Sequence, residues 1–322
     1  MISCLFLNIE EREGWHLKLN AALKMPKTQR KQERWMIFFS MSFLVVYIGI
    51  FNYFPILYSF IGSFFNWKPI KGVFKFAGFD NFIWMFKEPL FWKSMGNTLI
   101  FALVACFLYV FLGLIFATMI YSVPRFQGFF RTTYFLPVIT SGVAVSLLWK
   151  YAFYNTNNGV FNVILEFFGL NPQMWLLDEK QVIGCIIAMT VWKEIGYAII
   201  IFVAGLNEIP GELFEAATID GANRIQSFKS IIVPMIKPTT LLVAVTGMIN
   251  FLQVFNQVML MTSTAGKSPG GPGTSSYTAM LLIYEKGFKD FNFGRASAIG
   301  YALVLVILIF TVIQFRLNKS EG

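Results

Sequence analysis

The stretch Asn207-Glu-Ile-Pro-Gly-Glu-Leu-Phe-Glu-Ala-Ala-Thr-Ile-Asp-Gly-Ala-Asn-Arg-Ile-Gln-Ser-Phe-Lys-Ser-Ile-Ile-Val-Pro234 is an island of charge between two long apolar runs. Pro210 suits the first turn of a short helix, where its fixed φ helps and its missing N–H is not needed. That helix carries Glu212, Leu213, Glu215, Ala216 and Ala217. Asp220-Gly221 is a turn dipeptide, because glycine accepts a positive φ without steric cost. Asn223, followed three residues later by Gln226, has the spacing of a capping box that opens a second helix, and Pro234 ends it. The expected product is a helix–turn–helix bracket outside the bilayer. Ala216-Ala217 leaves one face without bulk, so another protein can approach the backbone, and Glu215 and Asp220 offer charge to a basic partner. On the residues alone, a plain connecting loop fits as well.

The sequences on either side explain why a bilayer enters the argument. Of 322 residues, 56% are hydrophobic and 13% charged, with 37 Phe. A soluble domain of this length cannot bury that much apolar surface, whereas a chain with several membrane spans need not. The formal charge of +9 does not indicate nucleic acid, since the basic residues lie between apolar runs and at the ends rather than along one stripe. Cys4, Cys106 and Cys185 show neither disulfide nor metal spacing, and His16 is the only histidine. A membrane metalloenzyme and a histidine proton relay are therefore disfavoured, and no cofactor is expected.

Six apolar runs are long enough to cross a bilayer, which takes about 20 residues. They cover roughly 35–65 (interrupted by Pro55), 95–121, 132–154, 181–206, 239–262 and 296–315. The opening Met-Ile-Ser-Cys-Leu-Phe-Leu is too short for a signal-peptide core, and Met1 and Met25 are both open as the start. Arg12, Lys18, Lys24, Lys27, Arg30, Lys31 and Arg34 precede the first run and place the N-terminus on the cytoplasmic side. With six spans both ends share that side, and so does the bracket. The expected division is a cytoplasmic tail at 1–34 and a transmembrane domain at 35–322 that contains the loop 207–238.

The outer segments carry their own patterns. Residues 66–94 are rich in Trp and Phe, as expected of a segment on the membrane interface. Residues 155–180 contain an amphipathic Phe161–Phe168, and 263–275 is a Gly/Ser/Pro-rich loop. Tyr277–Ile283 is apolar but too short to cross, so it reads as a re-entrant or surface helix.

Two sets of polar residues fall inside spans. On a continuous helix Thr246, Asn250, Gln253 and Gln257 lie within about 60° of one another, forming one polar stripe. Such a stripe faces protein or water, either bonding to neighbouring helices or lining a path for a many-hydroxyl solute. Lys193 and Glu194 sit mid-span beside Trp192. Ionisable groups there are costly; neighbours on a helix point about 100° apart, so each is expected to need its own partner. Trp192 is placed either to stack on a sugar ring or merely to pack. Gly266-Lys267-Ser268 copies the tail of a P-loop, but its leading glycine position is Met261, and no nucleotide site follows.

Glu215-Ala216-Ala217, Gly221, Ile231 and Pro234 stand in the register of the EAA loop of ABC importer permeases, with Val233 where that family usually has Leu. The fuller Ile-Pro-x-Glu-Leu-x-Glu-Ala-Ala-x-Ile-Asp-Gly-Ala resembles the carbohydrate branch. Asn97-Thr98, Pro137, Phe251, Phe255, Thr262, Gly270-Gly271-Pro272 and Phe293-Gly294-x-Ala296-Ser297-Ala298 fit the same pattern loosely. Asn256 departs from it where an acidic residue is common, and Ser263–Pro269 appears as an insertion. The resemblance implies an all-α polytopic membrane protein with the six-helix type I importer (MetI-like) permease fold, in a bacterial inner or plasma membrane. It implies a transport subunit and not an enzyme, with ATP hydrolysed by two separate cytoplasmic ATPase subunits. It further implies a second homologous permease, an extracellular solute-binding protein and a sugar substrate. The short tail Arg316–Gly322 resembles the maltose-F-type or glycerol-phosphate-A-type half. Glu215, Ala216, Ala217, Asp220, Gly221 and Pro234 would couple to the ATPase; Trp192, Lys193, Thr246, Asn250, Gln253 and Gln257 would line the substrate path. The alternatives are a permease for glycerol phosphate, an amino acid or a peptide, and, further off, a channel or a secondary carrier. A carrier calls for inverted repeats and carboxylates in several spans, and Glu194 alone lies clearly within one.

Overall fold

The computed structural model describes residues 27–155, 159–263 and 269–319. His16, Cys4 and the Gly266-Lys267-Ser268 tripeptide lie outside the described residues, as does most of the Ser263–Pro269 insertion. The chain divides into two units at Ser59/Phe60.

The described part of the first unit is helical. α1 (Lys27–Ile48) passes through a π-turn at Gly49–Tyr53 into α2 (Phe54–Gly62). Pro55 therefore does not interrupt the run. The π-turn just before it supplies the wider loop that a proline ring and its missing N–H require. Residues 34–62 are apolar enough to cross a membrane.

The second unit holds the remaining elements. A small antiparallel hairpin, β1 (Phe65–Lys68) with β2 (Val73–Phe76), pairs Phe65 with Phe76 and Trp67 with Phe74. It is the one departure from an all-helical chain among the described residues. Asn81, buried in α3 (Asp80–Lys87), holds the hairpin's base by donating to the Ser63 and Phe65 carbonyls at 2.8 and 2.9 Å. The spans follow as α4 (Pro89–Tyr121), α5 (Gln127–Ile139) with α6 (Gly142–Ala152), and α8 (Val182–Asn207), with α7 (Val160–Phe167) in the loop between α6 and α8. The bracket is α9 (Gly211–Ile219), α10 (Arg224–Ser227), a π-turn at Phe228–Ile232 and α11 (Val233–Met235). α12 (Lys237–Leu252), α13 (Asn256–Thr262), α14 (Ala279–Tyr284) and α15 (Phe293–Lys319) complete the chain.

Among the described residues four helices are long and apolar enough to cross a membrane, and up to six spans result when each of two bent pairs counts once. The third expected span is one of these pairs: α5 and α6 meet at 93° across Thr140-Ser141 rather than running straight. The fifth expected span is also broken. α12 ends at Leu252, Gln253-Val254-Phe255 is non-helical, and α13 starts afresh at Asn256. The short helix after the glycine-rich segment is α14, whose Ala279, Leu281 and Leu282 are buried, so it packs into the core.

α8 is the central post, packed against α4 and α5. Phe202, Ile199, Ile186 and Met189 of α8 are fully buried with Phe101 of α4. The tightest approach is at Gly196, where a Cβ would lie 2.0 Å from the Tyr134 carbonyl oxygen of α5. Small residues that let backbones touch are the usual device for helix association in lipid, where no hydrophobic drive operates between helices.

The glycine-rich segment is strapped down where it is described. Asn97 donates to the Thr274 and Tyr277 carbonyls at 3.1 and 3.0 Å, and Lys93 to that of Gly273 at 2.5 Å. The Ala279 amide donates to Thr98 Oγ1 at 2.9 Å. Burial, reinforced by a 2.5 Å hydrogen bond to Glu285, pushes the Tyr277 phenol well above its usual range. Residues 159–180 are likewise held around buried Asn162, which accepts from Trp175 Nε1 at 2.6 Å and from the Gln173 amide at 3.0 Å.

Candidate functional site: bracket and chamber

The bracket forms as its turn chemistry dictates. Pro210 stands one position before α9, as its extended N-cap residue (ψ 129°) rather than within its first turn. α9 closes in a Schellman motif: the Ala222 amide donates to Ala217 at 2.9 Å and the Gly221 amide to Thr218 at 3.1 Å. Gly221 takes φ +77°, as this motif demands. The capping box is complete, with Gln226 N to Asn223 Oδ1 at 2.9 Å and Asn223 N to Gln226 Oε1 at 2.7 Å. Asn223→Ala removes the side-chain acceptor and should cost about 1 kcal/mol of local stability. Faster amide exchange at residues 224–227 checks this, with the remaining helices unchanged.

Pro234 does not end the helix. The π-turn at 228–232 accommodates it, the helical run reaches Met235, and the chain turns at Ile236 into α12 with a bend of 69°. Ile232 and Ile236 are buried, so the bend is anchored in the core. The Phe214 ring lies 6.3 Å from that of Tyr121 at the end of α4, which seats α9 against the bundle. The opposite face is open. Glu215, Ala216, Asp220 and Gly221 are exposed, Ala217 is half-buried, and two large apolar side chains, Ile219 (87% exposed) and Ile225 (68%), stand out at the elbow.

The second feature is a chamber of about 300 Å³ beside α8 and α12. Thr246 and Asn250 line it with Glu194, Tyr109, Tyr197 and Val138. The polar stripe thus survives only in its first half. Gln253 is the exposed C-cap of α12 and donates to the Ile249 carbonyl at 3.2 Å, and Gln257 belongs to α13. The 100° arithmetic holds to Leu252 and fails beyond it. Trp192 does not line the chamber; it is half exposed and packs on Trp149 with ring centres 5.3 Å apart.

Lys193 and Glu194 pair with each other, contrary to the expectation from their angular separation, with Nζ 2.8 Å from Oε1. The four-carbon stem of the lysine carries its ammonium around the helix. Nζ also donates to the Val138 carbonyl at 3.3 Å, in the last turn of α5, where carbonyls lack intrahelical partners and a cation is favoured. Lys193 is 8% exposed and is not among the residues that line the chamber; its pair partner Glu194 is. Glu194→Gln leaves that buried ammonium without its counter-charge, and a loss of about 3 kcal/mol is expected. Thermal unfolding in detergent reads it, and Lys193→Met/Glu194→Gln should recover most of the loss.

Glu194, Tyr109 and Tyr197 are the lining residues with polar side chains that lie outside the polar stripe. Among the described residues no group of three His, Cys, Asp or Glu could hold a metal, and Cys106 and Cys185 are buried.

The second unit is a bundle of apolar helices with an exposed bracket between two of them and a polar chamber beside α8 and α12. The sequence agrees: residues 109–320 match the family described as binding-protein-dependent transport system inner membrane component, and the chain belongs to that family. It is 33% identical over 281 residues to LacF, the lactose transport system permease protein of Rhizobium radiobacter, covering 86% of this chain and 92% of that one. It is 32% identical over 271 residues to MsmF, a multiple sugar-binding transport system permease protein of Streptococcus mutans, covering 84% and 91%. The fold is that of a chain from a bacterial ABC transporter that imports the acidic polysaccharide alginate, with TM-score 0.77 at 24% identity over 92% of this chain and 99% of that one. The chain is an inner-membrane ABC importer permease.

Proposed function

We infer that this permease passes a sugar or oligosaccharide handed over outside by a solute-binding protein. Two ATPase subunits dock on the bracket inside, and a second, homologous permease completes the path as a heterodimer. The tail 1–34, the loop 207–238 and the C-terminus face the cytoplasm. The observation that carries the coupling role is the open face of α9 and its elbow, apolar at Ile219 and Ile225 and acidic at Glu215 and Asp220. The sugar class is supported by the transport roles that LacF and MsmF are named for and by a chamber whose Thr246, Asn250, Glu194 and two tyrosines can all exchange hydrogen bonds with hydroxyls. Alternating access follows: closure of the ATPases moves the bracket, and the bend at Ile236 passes that movement to α12. Nucleotide shifts the equilibrium only by its differential affinity for the two states.

Asn250→Leu tests the chamber. It replaces a hydrogen-bonding amide with an isosteric apolar group, so uptake by the assembled importer should fall about tenfold or more. ATPase subunits should still co-purify. A radiolabelled panel of lactose, maltotriose and arabinotriose, each with its matching binding protein, supplies the assay. Unchanged uptake of every transported sugar by Asn250→Leu would remove the chamber from the path.

A further inference from the structure

Among the residues that line the chamber, Glu194 alone has a charged side chain; no Lys, Arg, His or Asp joins it in the wall. Its carboxylate is paired. Lys193 Nζ holds Oε1 at 2.8 Å, and the same ammonium donates to the Val138 carbonyl at 3.3 Å. What decides the character of the chamber is which end of the pair it meets. The lysine side chain is 10% exposed and stays out of the lining, with its Cε 3.8 Å from the point where a Cβ on Gly142 would stand. The glutamate side chain is 28% exposed and forms part of the wall. The pair is therefore a dipole with its positive end set against the junction of α5 and α6 and its negative end turned to the chamber. Among the described residues no group is bonded to the second oxygen, Oε2.

The other polar lining groups are neutral. The Tyr109 and Tyr197 hydroxyls and the Asn250 amide each offer both a donor and an acceptor, so they serve any polar solute. An ionised carboxylate only accepts. A sugar hydroxyl can donate to Oε2, whereas a sugar carboxylate at neutral pH brings no proton and meets a like charge away from bulk water. We propose that Glu194 makes the chamber a charge screen, which admits neutral and amino sugars and turns back uronic acids and other anionic sugars. Glu194 is then a specificity residue, and Lys193 is a positioning residue that holds the carboxylate in the wall. The proposal deepens the reading of the chamber as the substrate path and rests on it.

The test uses the assembled importer in detergent and needs no transported sugar. Thr246→Cys places a thiol in the lining, and a cationic and an anionic methanethiosulfonate of similar size are applied separately. Mass spectrometry of the peptide carrying residue 246 gives both rates, and the same thiol in the denatured chain gives the baseline ratio. Any effect of the carboxylate on the thiol itself cancels in that ratio. The folded chamber should favour the cationic reagent about tenfold beyond baseline, because the carboxylate stands nearer than its ammonium. Adding Lys193→Met/Glu194→Gln should return the ratio to baseline, and Glu166→Gln, on the exposed side of α7, should leave it unchanged. A folded ratio equal to baseline in Thr246→Cys alone overturns the proposal, whether or not the paired variant folds. So does a preference that survives the loss of Glu194. A thiol that neither reagent reaches in any nucleotide state overturns it too, since a sealed chamber screens nothing. The ratio is read without uptake, so its failure leaves the importer reading standing. A chain that purifies without ATPases shows failure of that reading separately.

Discussion

Gly221→Asp should reduce ATP-driven uptake at least about hundredfold, the consequence of desolvating an added carboxylate at a docked surface, while membrane insertion stays normal. The prediction separates two roles of this residue. Within the chain a Cβ at Gly221 meets nothing within 4 Å, so no internal clash arises. The φ of +77° imposes a backbone cost of roughly 1 kcal/mol on any other residue. That cost is shared by Gly221→Ala, which should therefore retain partial uptake. What aspartate adds is charge at the exposed elbow beside Asp220, where the ATPase is proposed to sit. Uptake assays on right-side-out vesicles with matched expression check both variants. Equal, near-normal uptake by the two would show that nothing docks at this turn.

Gly196→Ala should be as damaging to the fold as Gly221→Asp is to coupling. Its Cβ would fall 2.0 Å from the Tyr134 oxygen, 2.6 Å from the Tyr134 carbonyl carbon and 3.0 Å from the Phe135 Cα. These are backbone atoms of α5, which cannot rotate aside as a side chain can. Accommodation means lifting α5 off α8, which also draws the Val138 carbonyl away from Lys193. Overpacking of this kind costs roughly 3 kcal/mol or more. The expected result is a clear drop in the detergent unfolding midpoint, together with loss of the Lys193 contact. A midpoint equal to that of the unmodified protein would mean that α5 and α8 do not touch here.

The contrast between these two glycines shows where sequence is legible. Gly221 announces itself: Asp-Gly after a short helix and an Asn-x-x-Gln box behind it are local signals, and each appears in the structure as read. Gly196 is one glycine in an apolar run, and only the partner helix gives it meaning. The broken fifth span is a second case. Gln253-Val254-Phe255 contains no glycine or proline, and nothing local stops the helix there. The break is sustained from a distance, by Thr278 Oγ1 donating at 3.2 Å to the Val254 carbonyl that the break frees. The polar stripe of a continuous helix therefore ends at Asn250, and Gln253 and Gln257 fall beyond the break. Lys193 and Glu194 illustrate the opposite error. Helical geometry fixes where Cα–Cβ bonds point, but a lysine stem is long enough to defeat the angle. Glu194, Tyr109 and Tyr197 joined the chamber only once α4, α8 and α12 were placed around it. The bend between α5 and α6 had Pro137 as a hint, three residues before Thr140, yet a proline within a membrane helix signals a kink more often than a right-angled turn.

The most direct measurement is a pull-down of the tagged chain from native membranes, with ATP hydrolysis assayed in detergent. The coupling role predicts that an ATPase co-purifies with the unmodified protein and hydrolyses ATP. It also predicts that Glu215→Ala combined with Gly221→Asp releases that ATPase while the permease stays intact and its partner permease stays bound. A chain that is recovered folded, repeatedly alone and indifferent to ATP would contradict the assignment of the bracket as the seat of an ATPase.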